Sequence, residues 1–589
     1  MMMAETPYSN HFDDIYFDVE NGLEESRHVF LRQNHLPHAW QDRQKFIICE
    51  TGFGTGLNFL CTWTEFEATT KPNQQLHYYS FEKYPLSQAE IQKYLAHWSR
   101  EFDGRLEKLL SDYPLRVGGW HTFRVSPQVT LTLIFDDVNR ALPELNISVD
   151  CWFLDGHAPA KNPDMWSENV FHNIGRLSHR GTRCATFTAA GIVKNGLSDV
   201  GFTVTKATGY GRKRDMIVGL FEHTEKPVII HNKPQKIAVI GGGIAGASVA
   251  QCLHQKGCDV TIFEKTGIAS GGSGNSIGLC NPRITYNRGH EADFYSSAFV
   301  HAHNLFKKIS EHHDIGFRGC GNLHAITDSQ KEKRFGGFVE HWGWHKDHAQ
   351  IISPDLSSDI AGIKLNHTNL YLPDACMVSP KKLTEFLASS VSLILYDVIT
   401  IERNGNNWGV SNNDFDVVIL AGGFDVLKFS MAGHLPLQKI RGQITKVTVG
   451  EIYKKLKVNL SYGGYSSVAM NGEAIIGSTF QHWIDTDTLR PEDDNDNINK
   501  LKSISPELTD GLMVSGGRAS FRCAAKDRTP VIGKIDGFEN LYFSTAHGSH
   551  GILSSLMGAE FLSAKIVGEP NILPMSVEKA LSPNRFKPQ

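Results

Sequence analysis

An acid and three glycines, Glu50-Thr51-Gly52-Phe53-Gly54-Thr55-Gly56, follow directly on the apolar run Phe46-Ile47-Ile48-Cys49. Almost two hundred residues later the arrangement recurs as Gly241-Gly242-Gly243-Ile244-Ala245-Gly246, after Ile237-Ala238-Val239-Ile240. Glycines let a chain leaving a strand turn tightly beneath a charged ligand, and a helix opening there presents unpaired N–H groups to it. In each case the next apolar run ends on a carboxylate, Glu82 or Glu264, placed to accept hydrogen bonds from the two hydroxyls of a ribose. Two such turns in one chain imply two cofactors and two reactions.

The spacings differ. Gly241, Gly243 and Gly246 match the dinucleotide pattern, with Glu264 21 residues after Gly243. In the earlier turn the third glycine comes one residue too soon for a dinucleotide. That spacing favours S-adenosylmethionine over NAD, and Glu50 is tolerable beside a cationic ligand that has no diphosphate. Downstream, Phe153-Leu154-Asp155-Gly156-His157 puts Asp155 at the carboxyl end of a strand, where open α/β sheets place ligands. A carboxylate there can take the proton an amine must lose before it accepts a methyl group, so Asp155 is the candidate catalytic residue. His157 reads as loop packing, and Asp136-Asp137 as a strand end or helix cap.

FAD is favoured over NAD at the second turn by the small residues Ala269 to Asn275, which can approach a flavin ring closely. Lys265, Ser273 and Asn275 join its candidate cofactor contacts. So do Gly548 and Gly551 in Ala546-His547-Gly548-Ser549-His550-Gly551, whose N–H groups can face the flavin. Arg522, Arg528 and Lys526 are candidates for holding an anionic substrate, and His547 and His550 either orient this loop or shuttle protons.

These residues need two α/β frameworks. Apolar runs at 46–49, 77–81, 129–135, 151–154, 184–187, 202–206 and 216–221 suit a mostly parallel sheet, in the order of a class I methyltransferase with a Rossmann-like fold. The last two are too close for a crossover helix and predict an antiparallel hairpin at the sheet edge. We expect a methyltransferase domain over 1–226, a linker over 227–235, and an FAD-binding Rossmann domain over 236–589. An α+β substrate domain is expected as insertions near 290–410 and 435–520, the latter read as short strands and turns. The acidic run Pro491 to Asn497 reads as a solvated loop or the lead-in to a helix.

At 589 residues the chain is too long for one core, and 41% hydrophobic with 21% charged residues is ordinary for a soluble enzyme. No apolar run approaches the ~18 residues of a membrane span, and no membrane association is expected. Ten cysteines occur singly, without a CxxC pair, which points away from disulfides and bound metal and towards a reducing cytoplasm. A net charge of -4 argues weakly against a surface coated for nucleic acid and leaves room for a local basic face. Oligomeric state is open, and a monomer is compatible.

The order of motifs resembles the bacterial family of bifunctional tRNA 5-methylaminomethyl-2-thiouridine biosynthesis proteins. The resemblance runs almost the full length, through Phe12 to Phe17, Gly22 to Glu25, Val29 to Leu31, Glu50 to Leu60, Leu154 to Trp166 and Gly209 to Arg214. It continues through Gly241 to Gly246, Asn281 to Arg283, Arg441 to Gln443 and His547 to Ser549. It implies two steps on the wobble uridine of a tRNA. A glycine-oxidase-type half would oxidise the carboxymethylaminomethyl side chain, releasing glyoxylate, with dioxygen as the expected reoxidant. The amino-terminal half would then methylate the exposed amine. It also implies Asp155 as the methyltransferase catalytic residue, Glu50, Gly52, Gly54 and Glu82 around S-adenosyl-L-methionine, and Gly241, Gly243, Gly246 and Glu264 around FAD. For the RNA, Lys206 with Arg212, Lys213 and Arg214 offers a basic patch, and Tyr16, Phe17 and Tyr210 either stack on a base or pack in the core. The rival readings are a fused amine oxidase and methyltransferase acting on free metabolites, and a tRNA-binding scaffold with degenerate sites. Intact glycines, Glu264 and Asp155 speak against the scaffold.

Overall fold

The computed structural model describes residues 6–211, 214–223, 225 and 233–586. The chain divides into two units, one of residues 1–230 with Pro570–Met575, the other of residues 231–569 with 576–589.

The first unit is built on an eight-stranded sheet. Across it the strands run Gly119–Arg124, Val129–Phe135, Gln75–Phe81, Lys45–Glu50, Val149–Phe153, Ser178–Thr186, Asp215–Phe221 and Phe202–Thr208. The five from Val129–Phe135 to Ser178–Thr186 are parallel neighbours, and both edges are antiparallel. The expected hairpin is present, with Asp215–Phe221 inserted beside Ser178–Thr186. Lys45–Glu50 shows why its sequence is apolar throughout: Phe46 and Ile48 enter one core and Ile47 and Cys49 the other, so both faces are covered. From this strand the chain first winds one way, to Gln75–Phe81 and Val129–Phe135, and later the other, to Val149–Phe153. That reversal opens a crevice at the carboxyl ends of Lys45–Glu50 and Val149–Phe153. The edge strand Gly119–Arg124 is not evident from the sequence, because its His, Thr and Arg break the apolar run.

The second unit carries a six-stranded sheet in the order Ser392–Leu395, Asp259–Glu264, Lys236–Ile240, Val417–Leu420, Leu541–Thr545 and Val531–Lys534. All its pairings are parallel except the last. A second, eight-stranded sheet draws Asn322–Ala325, Gln350–Ile352 and Asn369–Leu372 from one stretch of chain. It draws Leu437–Thr448, Asn459–Ser461, Tyr465–Ser466, Glu473–Gly477 and Met513–Ala525 from another.

Two expectations for this unit need correction. The region 435–520 is not only short strands, since Leu437–Thr448 and Met513–Ala525 form a long antiparallel ribbon with a bulge at Lys446/Val447. Of the two readings of the acidic run, the solvated loop falls and the helix lead-in stands. Pro491 opens the helix Pro491–Lys502, whose first turn holds Glu492, Asp493 and Asp494 where the helix dipole favours negative charge. Asp493 is buried and pairs with Arg441, itself 0% exposed, at 2.6 Å. Asp494 accepts from Gln443 (2.9 Å) and Thr445 (2.6 Å). Removing one partner of a buried pair such as Arg441–Asp493 costs about 3–5 kcal/mol. Among the described residues no helix is long and apolar enough to cross a membrane.

Candidate active sites

In the first unit the crevice is a cavity of about 750 Å³. The glycine turn forms its floor. Gly52 passes so close to the Asp155–Gly156 backbone that a Cβ would lie 3.3 Å from the Asp155 carbonyl oxygen. Gly54 gives its N–H to Glu82 Oε2 (2.9 Å), and Gly56 caps the helix Leu57–Thr69. Glu82 Oε1 accepts from the Tyr84 N–H (2.8 Å), so each carboxylate oxygen is oriented by one backbone donor. Burial raises the Glu82 pKa, and those N–H groups oppose the rise.

Asp155 and Glu50 meet across one side chain. Asn58, on the first turn of Leu57–Thr69, donates through Nδ2 to Glu50 Oε1 (2.8 Å) and to Asp155 Oδ2 (2.6 Å). Its Oδ1 accepts from Ser26 Oγ at 2.6 Å, and Nδ2, the donor end, faces the acids. Ser80 Oγ donates to Glu50 Oε2 (2.7 Å), and Gly156 N–H to Asp155 Oδ1 (2.7 Å). Burial, then the neighbouring Asp155, pushes the Glu50 carboxyl up to about 8. Asp14, Asp18, Glu20, Glu25, Asp136 and Asp164 also line the cavity, an electrostatic setting for cationic ligands. His157 lies over Phe12 (4.6 Å between ring centres) with Nδ1 3.5 Å from Asp14, and burial lowers its pKa. Asp137 caps the helix Val138–Ala141, as expected of it.

In the second unit the turn is tighter. Gly241 has φ +120°, and a Cβ there would sit 2.6 Å from the Ala421 carbonyl oxygen. At Gly246 a Cβ would lie 1.9 Å from the Gly241 carbonyl oxygen, so no larger residue fits. Gly243 precedes the helix Ile244–Gln255, and Ser273 Oγ accepts the Ile244 N–H (2.9 Å). Glu264 repeats the geometry of Glu82: Oε2 accepts from Gly242 N–H (2.7 Å) and Oε1 from Thr266 N–H (3.0 Å). This cradle, empty of Cβ atoms and headed by a helix N-terminus, fits a dinucleotide diphosphate.

Asn275 Oδ1 accepts from Arg518 (3.1 Å), whose guanidinium also reaches the Ser270 and Gly271 carbonyls (3.0 and 2.5 Å) and clasps this loop. Lys265 is half-exposed and pairs with Asp425 (2.5 Å). Gly548 sits in the short turn Gly548–His550, and Gly551 opens Gly551–Ile566. His547 lies between Ser544 (3.3 Å) and Ser554 (3.0 Å), and His550 against the Asn281 carbonyl (3.1 Å). Burial lowers both imidazoles to about 4, which keeps them neutral near pH 7. Arg522 donates to Ser478 Oγ (2.6 Å) and the Thr479 carbonyl (3.3 Å), with its guanidinium over Gly442, where a side chain would collide with it. Arg528 is exposed in a turn (φ +63°).

Of the basic patch, Arg212 and Lys213 lie outside the described residues. Arg214 is exposed, and Lys206 is paired with Asp215 (3.2 Å). Tyr16, Phe17 and Tyr210 all line the first cavity, Phe17 being mostly buried with its ring against Trp98. Sequence reasoning missed Asn58, Ser26, Ser80 and Arg518. The one visible signal was a polar Asn58 inside the apolar stretch Leu57 to Cys61.

Residues 236–565 match the FAD dependent oxidoreductase family, and residues 100–222 an S-adenosyl-L-methionine-dependent methyltransferase family. The tRNA 5-methylaminomethyl-2-thiouridine biosynthesis bifunctional protein MnmC of Methylobacillus flagellatus is 35% identical, with 98% of this chain and 94% of that protein covered. The chain belongs to this bifunctional family. Its counterpart in Chromobacterium violaceum is 33% identical, covering 98% of this chain and 96% of the other. FAD and S-adenosylmethionine are thus the cofactors of the two halves of this family member. Glycine oxidase from Bacillus cereus has the fold of the oxidoreductase half, with TM-score 0.51, 22% identity, and 59% of this chain and 98% of that one covered.

Proposed function

We propose that the protein completes a tRNA wobble-uridine side chain in two steps, removing a carboxymethyl group oxidatively and then methylating the amine left behind. The carrying observation is that both clamped glycine turns persist in a chain that matches the bifunctional relatives end to end.

In the second unit the Gly241–Gly246 turn would hold the FAD diphosphate, and Glu264 the ribose. FAD, when bound, supplies the acceptor for a hydride leaving the carbon next to the substrate nitrogen. Arg522 would pair with the substrate carboxylate and fix that carbon in place. Neutral His547 and His550 hold their loop without adding charge. The amine loses a hydride and a proton. Water adds to the resulting carbon–nitrogen double bond, and the bond breaks to give glyoxylate and the aminomethyl nucleoside.

In the first unit Glu82 would take the ribose of S-adenosylmethionine, which supplies a methyl group on a sulfonium. Asp155, held by Asn58 and the Gly156 N–H, would accept the proton the attacking amine must shed. Burial pushes the neighbouring Glu50 carboxyl up to about 8, so it holds its own proton near neutral pH and does not compete for this one. We assign the enzyme to the cytoplasm, where its substrate is made.

The test is the wobble nucleoside recovered from carboxymethylaminomethyl tRNA incubated with each cofactor alone and with both. FAD alone should yield the aminomethyl form, and both together the methylaminomethyl form. Turnover of free amino acids in preference to the tRNA would favour the free-metabolite reading and overturn this one.

A further inference from the structure

We propose that the segment Phe480–Trp483, in the loop that follows the strand Glu473–Gly477 of the second unit, is a stacking platform for an unpaired tRNA base beside the reacting nucleoside. The inference rests on tRNA being the substrate.

Phe480 is 48% exposed and Trp483 76%, and between them Gln481 bridges to Arg441 of the strand Leu437–Thr448. Aromatic rings left in water on a fixed support offer flat apolar faces on which a base can stack. The support is unusually firm. Arg441 exchanges backbone hydrogen bonds with Gln481 (2.9 and 3.0 Å), and its buried guanidinium donates to the Gln481 side chain (2.8 Å). The same guanidinium reaches the carbonyls of Thr486 (2.8 Å) and Thr488 (2.6 Å). Gln443 brackets Arg490 through its N–H and carbonyl (3.0 and 2.9 Å). A buried charge satisfied by one loop holds that loop in a single conformation before any ligand arrives, which lowers the ordering penalty of binding.

The position suits the substrate. The Arg522 guanidinium lies 5.8 Å from the centre of the Phe480 ring, and His482 packs on that ring at 5.3 Å. A carboxylate held by Arg522 therefore lies beside Phe480, with the nucleoside one short CH2–NH–CH2 arm away. Asp485 and Asp487 on the same loop disfavour phosphate there, so recognition is by base stacking rather than by ion pairs. Stacking on exposed rings is how single-stranded RNA is commonly gripped.

The test uses the full-length flavin-loaded protein and carboxymethylaminomethyl tRNA, with visible flavin absorbance reporting intact folding. Phe480→Ala and Trp483→Ala should each raise KM for tRNA about tenfold with kcat little changed. The salt dependence should keep its slope, since no phosphate contact is lost. Phe480→Tyr and Trp483→Phe should restore KM. Unchanged KM in both alanine variants overturns the platform while leaving the substrate assignment intact. A shallower salt slope overturns stacking in favour of phosphate contact. Altered sedimentation of the protein alone, with KM unchanged, makes the face a contact between copies. If the wild-type protein fails to act on this tRNA, the substrate reading falls first and the platform with it.

Discussion

Asp155, Asn58 and Glu50 show how one amide can bridge two carboxylates that sit in different surroundings. Asn58 binds both, but Glu50 is fully buried whereas Asp155 borders the open cavity. Asp155→Ala should abolish methyl transfer and leave flavin content and glyoxylate release unchanged; loss of both reactions would refute the division of labour. Glu50 makes a separate prediction about stability. Its pKa in the fold, about 8, lies above the ordinary 4.5, so the folded state binds this proton more tightly than the unfolded one. Its contribution to stability is then present at low pH and falls as pH rises from about 4.5 to about 8. Glu50→Gln removes that dependence. Without S-adenosylmethionine, its melting temperature should gain on the wild type between about pH 5 and about pH 8.5. A constant difference would show that Glu50 stays ionised throughout.

At the scale of elements, the same device appears twice: strand, glycine turn, helix, and a carboxylate on the next strand clamped by one turn N–H and the N–H two residues on. The clamp fixes the acid and, through it, the turn. Gly243→Val places side-chain atoms against Ser273, whose hydroxyl caps the helix at Ile244 and lies 3.4 Å from a Cβ at Gly243. The variant should purify without visible flavin absorbance, and full absorbance would displace the diphosphate from this turn. The hairpin of Phe202–Thr208 and Asp215–Phe221 carries a different expectation. Lys206 is engaged by Asp215, and Arg212, Lys213 and Arg214 are the remaining cations of the proposed RNA patch in the sequence. Changing those three to glutamate should weaken tRNA binding at low salt and flatten its salt dependence. Unchanged affinity would put the RNA footprint elsewhere.

The whole chain makes two units with separate cores, one set around Ile48, Phe59, Trp152 and Ile174, the other around Ala238, Leu420, Val447 and Ile476. A ligand that binds one folded unit stabilises that unit by mass action, about 2.7 kcal/mol at a hundredfold excess over Kd. Calorimetry should therefore resolve a transition raised by S-adenosylmethionine and another raised by FAD. A single transition moved by either ligand would mean that the units unfold as one body.

Much of this was legible in the residues. Glycine spacing, the acids at 82 and 264, and the apolar runs are local signals, set by backbone sterics and by burial of strands on both faces. They sufficed for two α/β frameworks and for the position of Asp155 at a strand end. What they could not carry was pairing at a distance. The helix of Pro491–Lys502 looks solvated because nothing near it in sequence reveals Arg441, and Asn58 looks like a flaw in an apolar helix until Glu50 and Asp155 converge on it. Desolvation and charge pairing depend on which groups the folded chain brings together. Those choices belong to the tertiary structure alone.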